Sequence, residues 1–162
     1  MKHSIITQLQ PADQFRGLFY FCTMAGKYSL GKEERIKSRK DTQQLFRSGT
    51  VFNLSFCRVY FLAKKTAGGN GRESLLRVGI GVPAKNFKKA VDRNRIKRLL
   101  REAWRLQKPE LKEILEERKT ALSVFLIYTG RELPDFRTVS EKVKRVIEKL
   151  REHIHENFPK DT

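Results

Sequence analysis

The stretch Lys88–Arg105 limits what this chain can fold into more than any other, because read at helical period it has two incompatible sides. Ile96, Leu99, Leu100 and Ala103 recur at three- and four-residue spacing and predict a helix with one apolar stripe. Arg93, Lys97 and Arg101, with Arg98 and Arg105 beside them, fall on the other side, where only Asp92 and Glu102 interrupt the positive charge. Such a helix can bury one flank against a sheet and offer the other to an anion. The competing reading is an ordinary solvated helix, but a solvated face normally mixes its signs. Five of the cations are arginines, whose planar forks suit bidentate phosphate contacts.

The whole chain has the same bias: 35 Lys and Arg against 18 Asp and Glu give a net charge of +17, which favours a polyanion through Coulomb attraction and counterion release. A membrane surface is the rival polyanion. The chain has no apolar run of about eighteen residues to span a bilayer, and the basic helix lacks the bulky aromatic face of an interfacial anchor. Nucleic acid is the better partner. With 162 residues and 39% hydrophobic content, one compact domain with a sizeable core is expected. Cys22 and Cys57 are not spaced as a metal or redox pair and read as small hydrophobes in a reducing compartment, hence the cytoplasm. His3, His153 and His155 offer no i, i+4 pair, so no protein-held metal is expected.

Taken in order, Met1–Gly31 reads as a poorly ordered extension or as the product of a start codon upstream of Met24, since Leu18–Cys22 is short for a signal-peptide core. Lys32–Arg47 predicts a short basic helix, closed by Gly49 in a left-handed conformation. Val51–Leu62 reads as a strand, with or without a bulge, joined through the flexible Ala67–Gly71 to a second strand, Leu75–Val82, as a hairpin. Gly79-Ile80-Gly81-Val82-Pro83-Ala84 fits a dinucleotide-binding fingerprint only formally, because Pro83 removes a phosphate-binding N–H and no acidic residue ends a second parallel strand. Gly79 instead predicts close packing.

Lys108-Pro109 is expected to end the basic helix, leaving Glu110–Lys119 as an exposed linker with a helical turn or two. The apolar run Thr120–Tyr128 predicts a strand covered on both faces. Thr138–Glu141 has capping-box spacing, and Val139, Val143, Val146, Ile147, Leu150 and Ile154 mark a final amphipathic helix. Helix, strands, helix, strand, helix is an α+β order.

Arg93-Asn94-Arg95 directly before Ile96-Lys97-Arg98, with Lys88-Lys89-Ala90-Val91 upstream and Arg101-Glu102 downstream, resembles the signature of the bacterial ribonuclease P protein subunit. Phe46-Arg47-Ser48-Gly49 and Arg77-Val78-Gly79-Ile80-Gly81-Val82 extend the resemblance, which covers about Leu30 to Leu150. It implies a two-layer αβββαβα sandwich with a mostly antiparallel four-stranded sheet, like a known ribosomal-protein domain. It also implies a left-handed crossover, where the general rule predicts a right-handed one. The division implied is an extension over 1–30, the domain over 31–156 and a tail over 157–162.

By the same resemblance, Arg93, Asn94, Arg95, Lys97, Arg98 and Arg101 lie against the catalytic RNA, and Lys85, Lys88 and Lys89 extend that surface. Phe46 and Tyr60 match aromatics that hold the single-stranded 5′ leader of precursor tRNA, with core packing as their other reading. Thr42 and Ala84 depart from the family, standing where relatives often carry an aromatic and a basic residue. No catalytic residue is expected in the protein. Glu116, Glu117, Glu132 and Asp135 lack the spacing of a metal-dependent nuclease, and in the family the RNA subunit and its Mg2+ ions cut the substrate. The implied partners are ribonuclease P RNA and precursor tRNA, with no membrane, small-molecule cofactor or obligate protein partner. A non-catalytic RNA-binding module of ribosomal or chaperone type is the alternative. A DNA-binding helix is disfavoured because no short helix-turn-helix precedes Val91.

Overall fold

A computed structural model describes residues 30–66 and 74–159; the expectations for the N-terminal extension and for the Ala67–Gly71 connection lie outside the described residues. The elements are α1 (Arg39–Ser48), β1 (Thr50–Leu54), β2 (Cys57–Lys65), β3 (Leu76–Gly81), α2 (Ala90–Glu117), β4 (Thr120–Tyr128) and α3 (Phe136–Asn157). The four strands form one sheet in the order β1-β2-β4-β3. The β1–β2 and β2–β4 pairs are antiparallel and β3–β4 is parallel, so the α+β class and the mostly antiparallel sheet hold.

Two strand expectations change. Val51–Leu62 is itself a hairpin, since Leu54 pairs with Cys57 across the two residues Ser55 and Phe56. β2 and β3 do not pair, because β4 lies between them. The most apolar strand thus takes a central position, where both its edges are hydrogen-bonded and helices cover it on both faces. Its alternate residues Leu122, Val124, Leu126 and Tyr128 are buried with Val59, Phe61 and Val78 against the stripes of α2 and α3.

The basic helix is longer than its proline suggests. α2 runs 28 residues with Pro109 inside it. A proline in a helix interior costs about 3 kcal/mol. Beyond it, Leu111 and Leu115 continue the buried stripe of Ile96, Leu100, Ala103, Trp104 and Lys108. Burying two leucines is worth about 1.5–3 kcal/mol each, enough to offset the proline. Glu110–Glu117 is therefore helix, exposed on one side and held to the core through Leu111 and Leu115, rather than a linker. At its end the buried Arg118 donates to the carbonyls of His155 (3.4 Å) and Phe158, tying α2 to the C-terminal end of α3.

Helix starts also differ from expectation. α1 begins at Arg39, capped by Ser38, whose Oγ accepts from the Asp41 N–H at 3.4 Å. The preceding residues pair with the open edge of β3: Val78 N–H donates to Glu34 O (2.7 Å) and Ile36 N–H to Val78 O (3.0 Å). From this segment Glu34 reaches the buried ammonium of Lys108, anchoring the middle of α2. Gly49 has φ −82°, not the left-handed value. A Cβ there would lie 2.3 Å from Leu45 O, so crowding at the turn into β1 demands the glycine. α3 starts a turn before the expected capping box: Asp135 is the cap, accepting from the Thr138 N–H at 3.2 Å, and Glu141 pairs with Arg137. Cys57 is buried as expected, and desolvation pushes its thiol up to about 12.

Candidate nucleic-acid interface

α2 and α3 cover one face of the sheet, and α1 lies on the other. Successive strand residues point to opposite faces, so Tyr60 and Leu62 of β2, Arg77 and Gly79 of β3, and Ser123 and Phe125 of β4 share the α1 side. Phe46 reaches down from α1 to make edge-on contacts with Tyr60 (ring centroids 4.7 Å) and Phe125 (5.2 Å). It nevertheless stays 41% exposed, so part of the ring faces solvent. Tyr60 is half-buried.

Phe125 belongs to this cluster and was not legible in the sequence, where it sits inside an unbroken apolar run. Its signal is the neighbour it needs: a Cβ on Gly79 would lie 2.3 Å from Phe125 Cδ2, so the ring occupies space that only glycine leaves. Gly79→Ala must displace Phe125, and a stability loss of about 1–3 kcal/mol is expected by urea denaturation, together with a disturbed aromatic cluster. Beside the rings, Arg77 pairs with Asp41 (3.1 Å) and donates to Ser123 Oγ (3.3 Å), fixing α1 to the sheet. The Thr42 hydroxyl, one turn before Phe46, donates to Ser38 O (3.0 Å) and so serves its own helix.

On the opposite side of the molecule, the outer flank of α2 presents the cationic row. Arg95, Arg98 and Arg101 are exposed and Lys97 half-buried, and none has a hydrogen-bonding or ionic partner among the described residues. Exposed Lys85, Lys88 and Lys89 continue the row through the loop before α2, and exposed Asn94 lies within it. Two expected members behave differently. Arg93 folds back, donating to Phe87 O (2.8 Å) and Lys88 O (2.7 Å), so it shapes the loop that carries the lysines. Arg105 makes a two-point pair with Glu102, Nε to Oε2 at 2.9 Å, a bond that lowers the Glu102 pKa and raises that of Arg105. The acid inside the row is thereby turned onto a single partner. Ala84 is exposed at the start of the same loop. The structure thus separates two surfaces: cations on the outside of α2, and rings under α1 across the sheet.

Comparison with known proteins identifies the family. A sequence model of the family described as Ribonuclease P matches residues 30–151. The ribonuclease P protein component of Porphyromonas gingivalis is 34% identical over 123 residues, covering 76% of this chain and 87% of that protein. That of Dictyoglomus turgidum is 36% identical over 126 residues, covering 76% and 94%. Among solved structures, the RNase P protein from Thermotoga maritima superposes with TM-score 0.54 at 26% identity, covering 72% of this chain and 96% of that one. The Staphylococcus aureus RNase P protein, at 22% identity and TM-score 0.51, shares the fold. With its cationic helix, its aromatic cluster and a match running from Leu30 to Arg151, this chain belongs to the ribonuclease P protein family.

Proposed function

We propose that this chain is the protein subunit of a ribonuclease P ribonucleoprotein, assisting endonucleolytic removal of the 5′ leader from precursor tRNA. The observation that carries this reading is the row Arg95, Lys97, Arg98 and Arg101, which has no acidic partner among the described residues. Unpaired guanidinium and ammonium groups on a rigid helix neutralise phosphates and release their counterions, so the row is the surface for ribonuclease P RNA. Lys85, Lys88, Lys89 and Asn94 extend it, and Arg93 acts by holding their loop.

The second surface takes the leader. Phe46, Tyr60 and Phe125 offer ring faces and edges to unstacked bases, a sequence-tolerant mode suited to a single strand. Cleavage itself is assigned to the RNA subunit and the Mg2+ ions it holds, and the protein screens phosphate repulsion and positions the substrate. In this reading the holoenzyme works in the cytoplasm.

Reconstitution tests the proposal. Mixing the protein with ribonuclease P RNA and precursor tRNA at low magnesium is expected to raise the rate of 5′ cleavage above that of RNA alone; no stimulation overturns it. Phe46→Ala is expected to weaken holoenzyme binding of precursor tRNA by about 1–3 kcal/mol while leaving mature tRNA binding nearly unchanged. An equal loss on both would remove the leader contact.

A further inference from the structure

A cavity shares Arg98 and Arg101 with the cationic row and extends beyond it to Leu30, Arg35 and Phe136, which neither surface above includes. It is about 620 Å3, within the range of small-ligand sites, and opens where α2 passes the start of α3 and the Leu30–Arg35 segment. Its apolar walls are Leu30, Leu99 and Phe136, and its cations are Arg35, Arg98, Arg101 and Arg105. Phe136, the first residue of α3, is 40% exposed although it is a large aromatic. Among the described residues Arg98 and Arg101 have no partner and Glu102 is the only carboxylate lining the cavity, bound at two points by Arg105.

Arg98 and Leu99 also line a second hollow, with Val91, Asn94 and Arg95, so the cavity continues the surface of the Arg-Asn-Arg motif around α2. We infer that this cavity receives one unstacked nucleotide of the RNA bound along α2. Its base lies against the Phe136 ring and its phosphate meets Arg98 and Arg101. A ring beside free guanidinium groups is the pairing that recognises a splayed-out base on a charged backbone. An acidic peptide would satisfy the arginines but leave the aromatic wall unused. The nucleotide comes from the catalytic RNA and not from the leader, because the Phe46 cluster lies across the sheet from α2.

This inference rests on the proposed function, and the experiment separates the two. The affinity of the full chain for ribonuclease P RNA is measured across a salt series for wild type, Phe136→Ala and Phe136→Tyr, alongside chemical probing of base reactivity in each complex. Phe136→Ala is expected to weaken binding about tenfold at every salt concentration, leave the salt slope unchanged and expose one base that wild type protects. Phe136→Tyr should restore both affinity and protection.

Wild-type affinity in Phe136→Ala, a loss with no newly reactive base, or a tyrosine variant as weak as alanine would each overturn the cavity assignment. A loss confined to precursor tRNA would also overturn it, by moving Phe136 to the leader. If wild type stimulates cleavage, the proposed function stands whatever happens at Phe136; if it does not bind the RNA at all, both fall.

Discussion

Replacing Arg95, Lys97, Arg98 and Arg101 together with alanine is expected to lower the log-log salt slope of binding to ribonuclease P RNA by about 3. Each phosphate contact contributes about 0.7 to 0.9 to that slope, and the four groups are free to make one contact each. At moderate salt the affinity should fall by about two to three orders of magnitude, among the largest effects available on this surface. The fold should survive, because the core flank of α2 is built from Ile96, Leu100, Ala103, Trp104, Leu111 and Leu115, none of which is touched. Nitrocellulose filter binding from low to high salt checks this, and an unchanged slope would show that these side chains do not meet phosphate.

Trp104→Ala should have the largest effect on stability. The indole is fully buried in the middle of α2, within the core that α2 and α3 build on the sheet. Truncating a buried tryptophan costs about 3–5 kcal/mol, a large part of the ~5–15 kcal/mol that holds a domain of this size together. The midpoint of urea unfolding reports the loss. Trp104→Phe should cost markedly less, for two reasons. It keeps most of the volume, and it removes an indole N–H that is buried with no hydrogen-bond partner among the described residues. If phenylalanine were as damaging as alanine, the indole N–H would have to be satisfied in solution.

Much of the two candidate surfaces could be read before any coordinates. The period of Ile96, Leu100 and Ala103 placed one side of α2 in the core, and the unbalanced charges around it placed the other side in solvent. Lys97, Arg98 and Arg101 were therefore legible as a row by spacing, whereas Arg95 entered it through the resemblance. Arg93 was not distinguishable from them, because its use depends on where the Phe87 and Lys88 carbonyls turn, which no charge pattern encodes. Phe46 and Tyr60, singled out by resemblance, meet in one aromatic cluster, whereas Phe125 was missed because an apolar run does not reveal which of its residues face which side.

What the sequence by itself determined is local: which residues of each helix are apolar, where the charge lies, and which runs become strands. Those properties follow from periods of 3.6 and 2, which a chain carries without knowing its partners. Only the tertiary structure decided that β4 inserts between β2 and β3, that α2 continues through Pro109, and that Phe136 borders a cationic cavity. Each depends on residues distant in the chain: strand pairing on the free edges available, helix length on the burial of Leu111 and Leu115, and the cavity on three segments meeting. Such outcomes are settled by the total surface removed from water, a property of the assembled fold and not of any one segment.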